Sequence, residues 1–359
     1  MIEIDGSYLE GGGQIARTAL ALSTITQKPF KIDKIRLGRP TPGLKAQHLN
    51  CVTSLKQLCN ASVEGTSLGS TELTYVPREF KAKNIEIDIG TAGSISLLLQ
   101  SLLPPAIFAN KPLTLTIIGG TEGKWAPPLD YTKEILLPQL KKFCNNIELK
   151  LIKRGYYPKG NGKIELSINP KHRKLKFDEL LKNLKGEDYN LIEQGHLIQI
   201  KGISHASSSL QNARVAERQA ESAKSILSKL KVPIDIRTEY DETLSPGSGI
   251  TLWAIFSKDK DEIDINNPIR IGADALGERG KPSEAIGKEA ADNLIKEIGS
   301  KAPVDSHLVD QLLPFLALTG GKIKTSEITN HAKTNVYTIE KFLGKVFEIN
   351  EKENIISIK

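Results

Sequence analysis

The chain is predicted to be an α/β (α+β) protein made of repeated βαβαββ units, with a smaller α/β domain inserted. Three observations carry this expectation. Short apolar strands alternate with stretches of three- and four-residue helical periodicity from the first residues onward. Two dipeptides recur at matching spacing: Lys28-Pro29 returns as Lys111-Pro112 about 83 residues on, and Cys59-Asn60 as Cys144-Asn145 about 85 residues on. The pattern then comes back a third time only near the C-terminal end, after a gap from about Phe177 to Ala302. Units of this kind pack a sheet against helices and share one core between copies.

Ile2 and Ile4 open the first strand. Gly11, Gly12 and Gly13 make the turn, and Ile15, Ala16, Ala19, Leu20 and Leu22 mark the helix that follows. KPFKIDKIRLGR is the second strand, ending in basic residues. A helix from about Gly43 to Leu58 leads to the strand-like CNASVEG and STELTYVP. The second copy reads IEIDIGTAGSISLLLQSLLPPAIFANKPLTLTIIGGT, again strand, small-residue turn, apolar helix, strand. ELKLIKRG and GKIELSI then form a hairpin through YYPKGNG. In the third copy, HLVDQLLPFLALTGGKIKTSEIT gives helix and strand, and TIEKFLGKVFEINEKENIISIK gives helix, strand, strand. The gap carries strands HLIQIKGISH, VPIDIRTEY and GITLWAIFS, the amphipathic helix VAERQAESAKSILSKL and the helix SEAIGKEAADNLIKEIG. The expected division is a large repeat-built domain over 1–176 and 303–359 and an inserted domain over 177–302, with Pro303 at the boundary.

Composition narrows the function classes. Hydrophobic residues at 39% and charged residues at 25% are ordinary for a globular chain. Aromatics at 5% speak against arrays of stacked Phe or Tyr for reading bases, whereas a net charge of +7 favours an anionic partner such as nucleic acid, nucleotide or phosphorylated metabolite. Cys51, Cys59 and Cys144 have no disulfide or zinc spacing. No apolar run is long enough for a membrane helix, and the chain opens directly on a strand without a signal peptide, so a cytoplasmic, membrane-free setting is expected.

Chemistry concentrates at the glycine turn. Successive glycines and the helix N-terminus behind them converge N–H groups on one point, a place for an anion. Glu10 precedes the turn and Arg17 lies one helical turn beyond it, which fits a metal–phosphate site or a tight turn with a surface ion pair. Arg36 and Arg39, three apart at the end of a strand, can grip one phosphate by paired donors, and the unit places them at the same sheet end as Arg17. Gln100 interrupts the apolar run SLLLQSLLPP and requires partners, in the core or in a site. Pro127-Pro128 stiffens the loop after GGT and can wall a pocket. Among the six histidines, His172, His196 and His205 fit solvated or structural roles, and His48 fits packing near the arginines. His307 opens a helix ahead of Asp310 and Gln311, and His331 lies in the turn of EITNHAKTN; an imidazole beside an anion site is available as a nucleophile or acid/base near neutral pH. No GxxxxGK[ST] loop is present. Lys159-Gly-Asn-Gly is similar to the lysine motif of covalent nucleotidyltransferases and is equally good turn chemistry.

Taken together, GSYLEGGGQIARTALALS, IRLGRPTPGLKAQHL, IGTAGSISLLLQSLLP, YYPKGNG, HLVDQLLPFLAL and NHAKTN resemble the RNA 3'-terminal phosphate cyclases, in order and over nearly the whole chain. The resemblance implies a fold similar to enolpyruvyl transferases and an ATP-dependent ligase, with Mg2+ or Mn2+, that converts an RNA 3'-phosphate end to a 2',3'-cyclic phosphate. It implies a histidine–AMP adduct, then an RNA(3')pp(5')A intermediate, from which the neighbouring 2'-OH expels AMP. Residue by residue, it implies His331 as nucleophile and Glu10 as metal ligand. Arg17, Arg36, Arg39, Gln47 and Gln100 would hold phosphates, His307, Asp310 and Gln311 would lie in the nucleotide pocket, and Pro128 would wall the adenine. The implied partners are ATP and an RNA 3'-phosphate end; oligomeric state stays open. A non-catalytic rRNA-processing relative and a transferase for a phosphorylated small molecule are the competing readings, and His331 argues against the first.

Overall fold

The computed structural model of the chain describes residues 1–173, 176–259, 264 and 267–359. Three units repeat one topology. The first comprises β1 (Ile2–Asp5), α1 (Gln14–Thr26), β2 (Phe30–Asp33), α2 (Ala46–Cys59), β3 (Ser62–Glu64) and β4 (Leu73–Val76). The second comprises β5 (Ile85–Asp88), α3 (Ile95–Ile107) and β6 (Leu113–Gly119), then α4 (Leu129–Tyr131), which runs through a wider π turn into α5 (Leu137–Leu140), then β7 (Cys144–Lys153) and β8 (Gly162–Pro170). The sheets are ordered β1-β2-β4-β3 and β5-β6-β8-β7, with the first two strands of each parallel and the rest antiparallel.

After α6 (Phe177–Asn183), the third unit starts with a strand that the sequence hides. β9 (Tyr189–Leu191) pairs parallel with β14 (Gly321–Lys324), and its sheet runs β9-β14-β16-β15, the order of the other two. Thus α9 (Leu308–Thr319), β14, α10 (Asn330–Leu343), β15 (Phe347–Asn350) and β16 (Ile355–Ile358) complete a unit begun more than a hundred residues earlier. The stretch 177–302 expected as an insert therefore gives its opening strand to the repeat. Tyr189 explains the pairing: its ring is 1% exposed and packs against Phe143 at 6.2 Å between centroids.

Between β9 and α9 lie β10 (His196–Ser207), α7 (Val215–Leu227), β11 (Ile234–Asp241), β12 (Ser248–Ser257), β13 (Ile269–Leu276) and α8 (Ser283–Gly299). They form a separate sheet of order β11-β10-β12-β13, against which α7 and α8 pack. β13, IRIGADAL, is a strand beyond those expected there.

The units meet through their helices: α1 packs on α2, α3 and α10, and α9 on α3 and α10. An aromatic cluster, Phe108, Phe143, Phe315 and Tyr189, joins the second and third units, with Phe143 and Phe315 stacked at 5.7 Å. Among the described residues no helix is long and apolar enough to cross a membrane.

Candidate active site

Two helix starts aim the key side chains. Ser94 caps α3 by accepting from Leu97 N at 3.2 Å, and Thr329 caps α10 by accepting from Ala332 N at 3.1 Å. These caps fix the first turns that carry Ser96 and His331. At the third start, the glycine turn before α1, Gly11 takes φ +52°, a left-handed conformation that suits glycine. Gly13 leaves no room for a side chain, because a Cβ there would lie 1.9 Å from Nε2 of buried His48. His48 itself accepts from Lys45 N at 3.0 Å and caps α2. Burial, reinforced by Arg17, Arg36 and Lys45, pulls its pKa down to about 3, so the ring is neutral and structural.

His331 and Glu10, 321 positions apart in the chain, stand at 3.1 Å, Nε2 to Oε2. The same Glu10 oxygen lies 3.2 Å from Arg39 NH2. The other ring nitrogen of His331 contacts Gln14 Oε1, and Gln14 Nε2 donates to the His331 carbonyl at 2.9 Å. That second bond orients the amide, so its oxygen faces Nδ1 and accepts from it. Burial lowers the His331 pKa; Glu10 opposes this, and Arg17, Arg39 and His307 reinforce it.

Arg17 is 8% exposed and donates through Nε to Gln100 Oε1 at 3.0 Å. Among the described residues no carboxylate forms an ion pair with it, and the same holds for Arg36. Burial lowers the pKa of both, and Arg36 and Arg39 also depress the charge beside them. A buried guanidinium with no direct ion pair, felt only at longer range by Asp310, is poised for an anion that arrives with the ligand.

A cleft of about 440 Å3 opens beside this group, lined by Gln14, Arg17, Gln100, His307, Asp310 and His331 on one side. Loop residues Gly123 to Pro127 form a second wall, and Asp274 to Leu276, Glu278, Lys281 and Glu289 of the inserted stretch form a third. Burial lifts the Asp310 and Asp274 carboxyls to about 6 each, against the pull of His307. Asn335 ties the helices behind the cleft, accepting from Thr18 Oγ1 at 2.8 Å and donating to Asp310 O at 3.0 Å.

Of the residues singled out in the sequence, Arg17, Gln100, His307, Asp310 and His331 share the cleft, and Glu10 and Arg39 adjoin it through His331. Arg36 sits near Arg17 in a left-handed turn, bonded to Thr41 O at 3.4 Å. Gln47 lies at the seam with Ser94 O, 3.5 Å away. Pro128 is buried at the start of α4, and its neighbour Pro127 lines the cleft instead. Gln311 turns back to His307 O at 2.9 Å, outside the lining. Lys159 is exposed in the β7–β8 hairpin and is not among the cleft residues. Gln14, Asp274 and Trp125 were not anticipated. Gln14 did carry a signal, being a polar residue at the head of an apolar helix and 3% exposed, the logic already applied to Gln100.

Comparison with known proteins follows the same line. The profile of the family described as RNA 3'-terminal phosphate cyclase matches residues 8–349. A protein of that name from Pyrococcus abyssi is 48% identical over 351 residues, spanning 98% of this chain and 95% of its own. Its namesake from Saccharolobus solfataricus is 46% identical over 356 residues, 98% of this chain and 97% of its own. Another from Archaeoglobus fulgidus is 44% identical over 360 residues, 99% and 100% respectively.

Proposed function

The chain belongs to the RNA 3'-terminal phosphate cyclase family, and on that premise we propose that His331 is the nucleophile of an ATP-dependent cyclisation of RNA 3'-phosphate ends. The observation that carries this reading is the clasp on His331. Gln14 Oε1 accepts from Nδ1, so a proton is held there; Nε2 faces the Glu10 carboxylate at 3.1 Å in the free protein and presents its lone pair to ATP when Glu10 is drawn off it. Nε2 attacks the α-phosphorus of ATP; the bond to the bridging oxygen breaks and pyrophosphate leaves, with AMP on the ring. The Gln14 oxygen steadies the positive charge the ring acquires.

An oxygen of the RNA 3'-phosphate then attacks the same phosphorus, the P–N bond breaks, and the imidazole is restored. The product is an RNA(3')pp(5')A end. Its 2'-OH attacks the adjoining 3'-phosphorus, loses its proton and expels AMP, an intramolecular step that gains from proximity. Recognition of RNA needs no base code, because the 2'-OH is itself a reactant. Arg17, with Arg36 and Arg39 nearby, offsets the charge that builds on phosphorus. Asp310 and His307 belong to the nucleotide side of the cleft, and Gln47, Gln311 and Pro128 act in this reading from behind it.

A divalent metal, Mg2+ or Mn2+, is part of the proposal. Among the described residues Glu10 contacts His331 and Arg39 and belongs to no cluster of three metal-ligating side chains, too few ligands for an all-protein cage. That suits a hard cation held by one carboxylate together with substrate phosphates. Bound there, it would neutralise phosphate charge. The three repeated units serve as the catalytic body, and the inserted stretch supplies the far wall.

The test is incubation with ATP labelled at the α-phosphate, comparing the parent with His331→Ala. Acid-labile, alkali-stable label on the parent and none on the variant is expected. Label surviving on His331→Ala overturns the assignment and redirects it to Lys159 or His307. Absence of label on both folded proteins would favour the non-catalytic processing relative.

A further inference from the structure

Trp125 is 90% exposed, whereas the only other tryptophan, Trp253, is 3% exposed. Large rings left in water need a reason when they stand at a binding cleft, and Trp125 lines the same cleft as Arg17, His307 and His331. Its backbone is in the left-handed region, φ +69°, which is unfavourable for a bulky residue and persists only when its surroundings enforce it. They do. On one side Glu122, 4% exposed, is anchored to buried Arg154 at 3.0 Å. On the other, Ser96 Oγ donates to Pro127 O at 2.6 Å, and Pro128 is buried at the head of α4. Lys124 is tied across the cleft mouth to Glu278 at 3.2 Å, with its ammonium 5.7 Å from the indole. The loop is fixed at both ends, yet the ring it presents packs on little of its own protein.

We infer that Trp125 is a stacking face for a nucleobase at the mouth of the cleft. A flat apolar ring beside a phosphate-seeking Arg17 matches the two ends of a nucleotide, base and phosphate. The scarcity of aromatics speaks against a run of stacked bases; a single ring suits one base at a chain end or on a mononucleotide. Two sources share this chemistry: the adenine of ATP and the terminal base of the RNA. The inference rests on the reading of the cleft as a nucleotide site.

The experiment uses the full chain and its own fluorescence. The parent, Trp125→Ala and Trp125→Tyr are titrated separately with ATP and with a short RNA ending in a 3'-phosphate, and binding is followed in parallel by calorimetry. One ligand is expected to quench the exposed tryptophan emission of the parent but not the residual Trp253 emission of Trp125→Ala. For that ligand, Trp125→Ala should bind about fivefold to hundredfold more weakly, and Trp125→Tyr should recover most of the loss. Quenching by ATP identifies adenine; quenching by RNA, abolished when the terminal nucleoside is abasic, identifies the RNA base. If both ligands bind the parent without quenching, or bind Trp125→Ala as tightly as the parent, the stacking role is wrong while the nucleotide site stands. If neither binds the folded parent, the reading of the cleft falls and the inference with it.

Discussion

Gln14 and His331 hold each other twice: the Gln14 amide nitrogen donates to the His331 carbonyl at 2.9 Å, and its oxygen meets the ring at Nδ1. One side chain thus fixes both the backbone and the ring of a residue 317 positions away. The bond to the carbonyl decides which way the amide faces, and the amide oxygen keeps a proton on Nδ1 while Nε2 meets Glu10. Gln14 is therefore a positioning residue, acting on phosphorus only through His331.

It follows that Gln14→Ala should slow self-adenylylation about tenfold to hundredfold at saturating ATP, the usual effect of removing an orienting partner. KM for ATP should change little, since phosphate contacts remain. Gln14→Glu keeps an acceptor on Nδ1 but loses the donor to the carbonyl, and is expected to recover part of the rate. Single-turnover adenylylation of the three proteins separates these outcomes; an unchanged rate in Gln14→Ala would remove Gln14 from the mechanism.

Arg17 makes the opposite trade between stability and function. Its charge is buried and makes no direct ion pair among the described residues, with Asp310 acting only at longer range, so the free protein carries a desolvation cost for it. Arg17→Met removes that charge while stranding the Gln100 amide oxygen, and these terms offset. Thermal stability should move by no more than about 1–2 kcal/mol, whereas adenylylation should fall by about two orders of magnitude or more. Melting curves with and without ATP check both halves: the shift that ATP gives the parent should shrink in the variant.

How far the sequence was legible follows from where each signal lives. Local signals read well. The glycine turn, the apolar helices and the recurring Lys-Pro and Cys-Asn pairs each sit within one unit, and they yielded two units and most of the third. β9 was hidden because three residues carry no periodicity, and its identity comes only from pairing with β14 across the insertion. The same reason concealed Asp274, which reaches the cleft from an inserted strand with no local mark of chemistry. The pairing of Glu10 with Arg17 suggested by their closeness in sequence gave way to Arg39 and His331, because a helix turns Arg17 inward to Gln100.

His48 gives the fold an acid-sensitive point. Its folded pKa is depressed to about 3 against about 6.5 in an unfolded chain. Between those values the unfolded state binds the extra proton. The contribution is therefore complete above about pH 6.5 and is lost as pH falls, by about 1.4 kcal/mol per pH unit, until the folded ring also titrates. His48→Gln, which cannot protonate, should lose less stability than the parent between pH 7 and pH 5, a difference of about 2 kcal/mol. Urea midpoints at the two pH values measure it, and parallel losses in the two proteins would refute it.

Arg154 is the strongest structural prediction, because its guanidinium is 0% exposed and meets four carboxylates at once. NH1 lies 2.8 Å from Asp130 and 3.0 Å from Glu122, NH2 lies 2.8 Å from Glu239, and Nε lies 3.2 Å from Asp241. The first two belong to the loop and helix beside the cleft and the last two to β11 of the inserted stretch, so one fork fastens the two parts together. Burial raises the Glu122 carboxyl and Arg154 opposes that rise. Arg154→Met should cost about 3–5 kcal/mol, since Glu122 and Asp130 would remain buried without a cation. Arg154→Lys should recover little, because a single ammonium cannot serve a planar fork of partners. Neutralising the stranded groups tests the cause: Glu122→Gln with Asp130→Asn should restore much of the melting temperature to Arg154→Met while destabilising the parent. If the triple variant melts no higher than Arg154→Met, the loss comes from packing and not from unpaired charge.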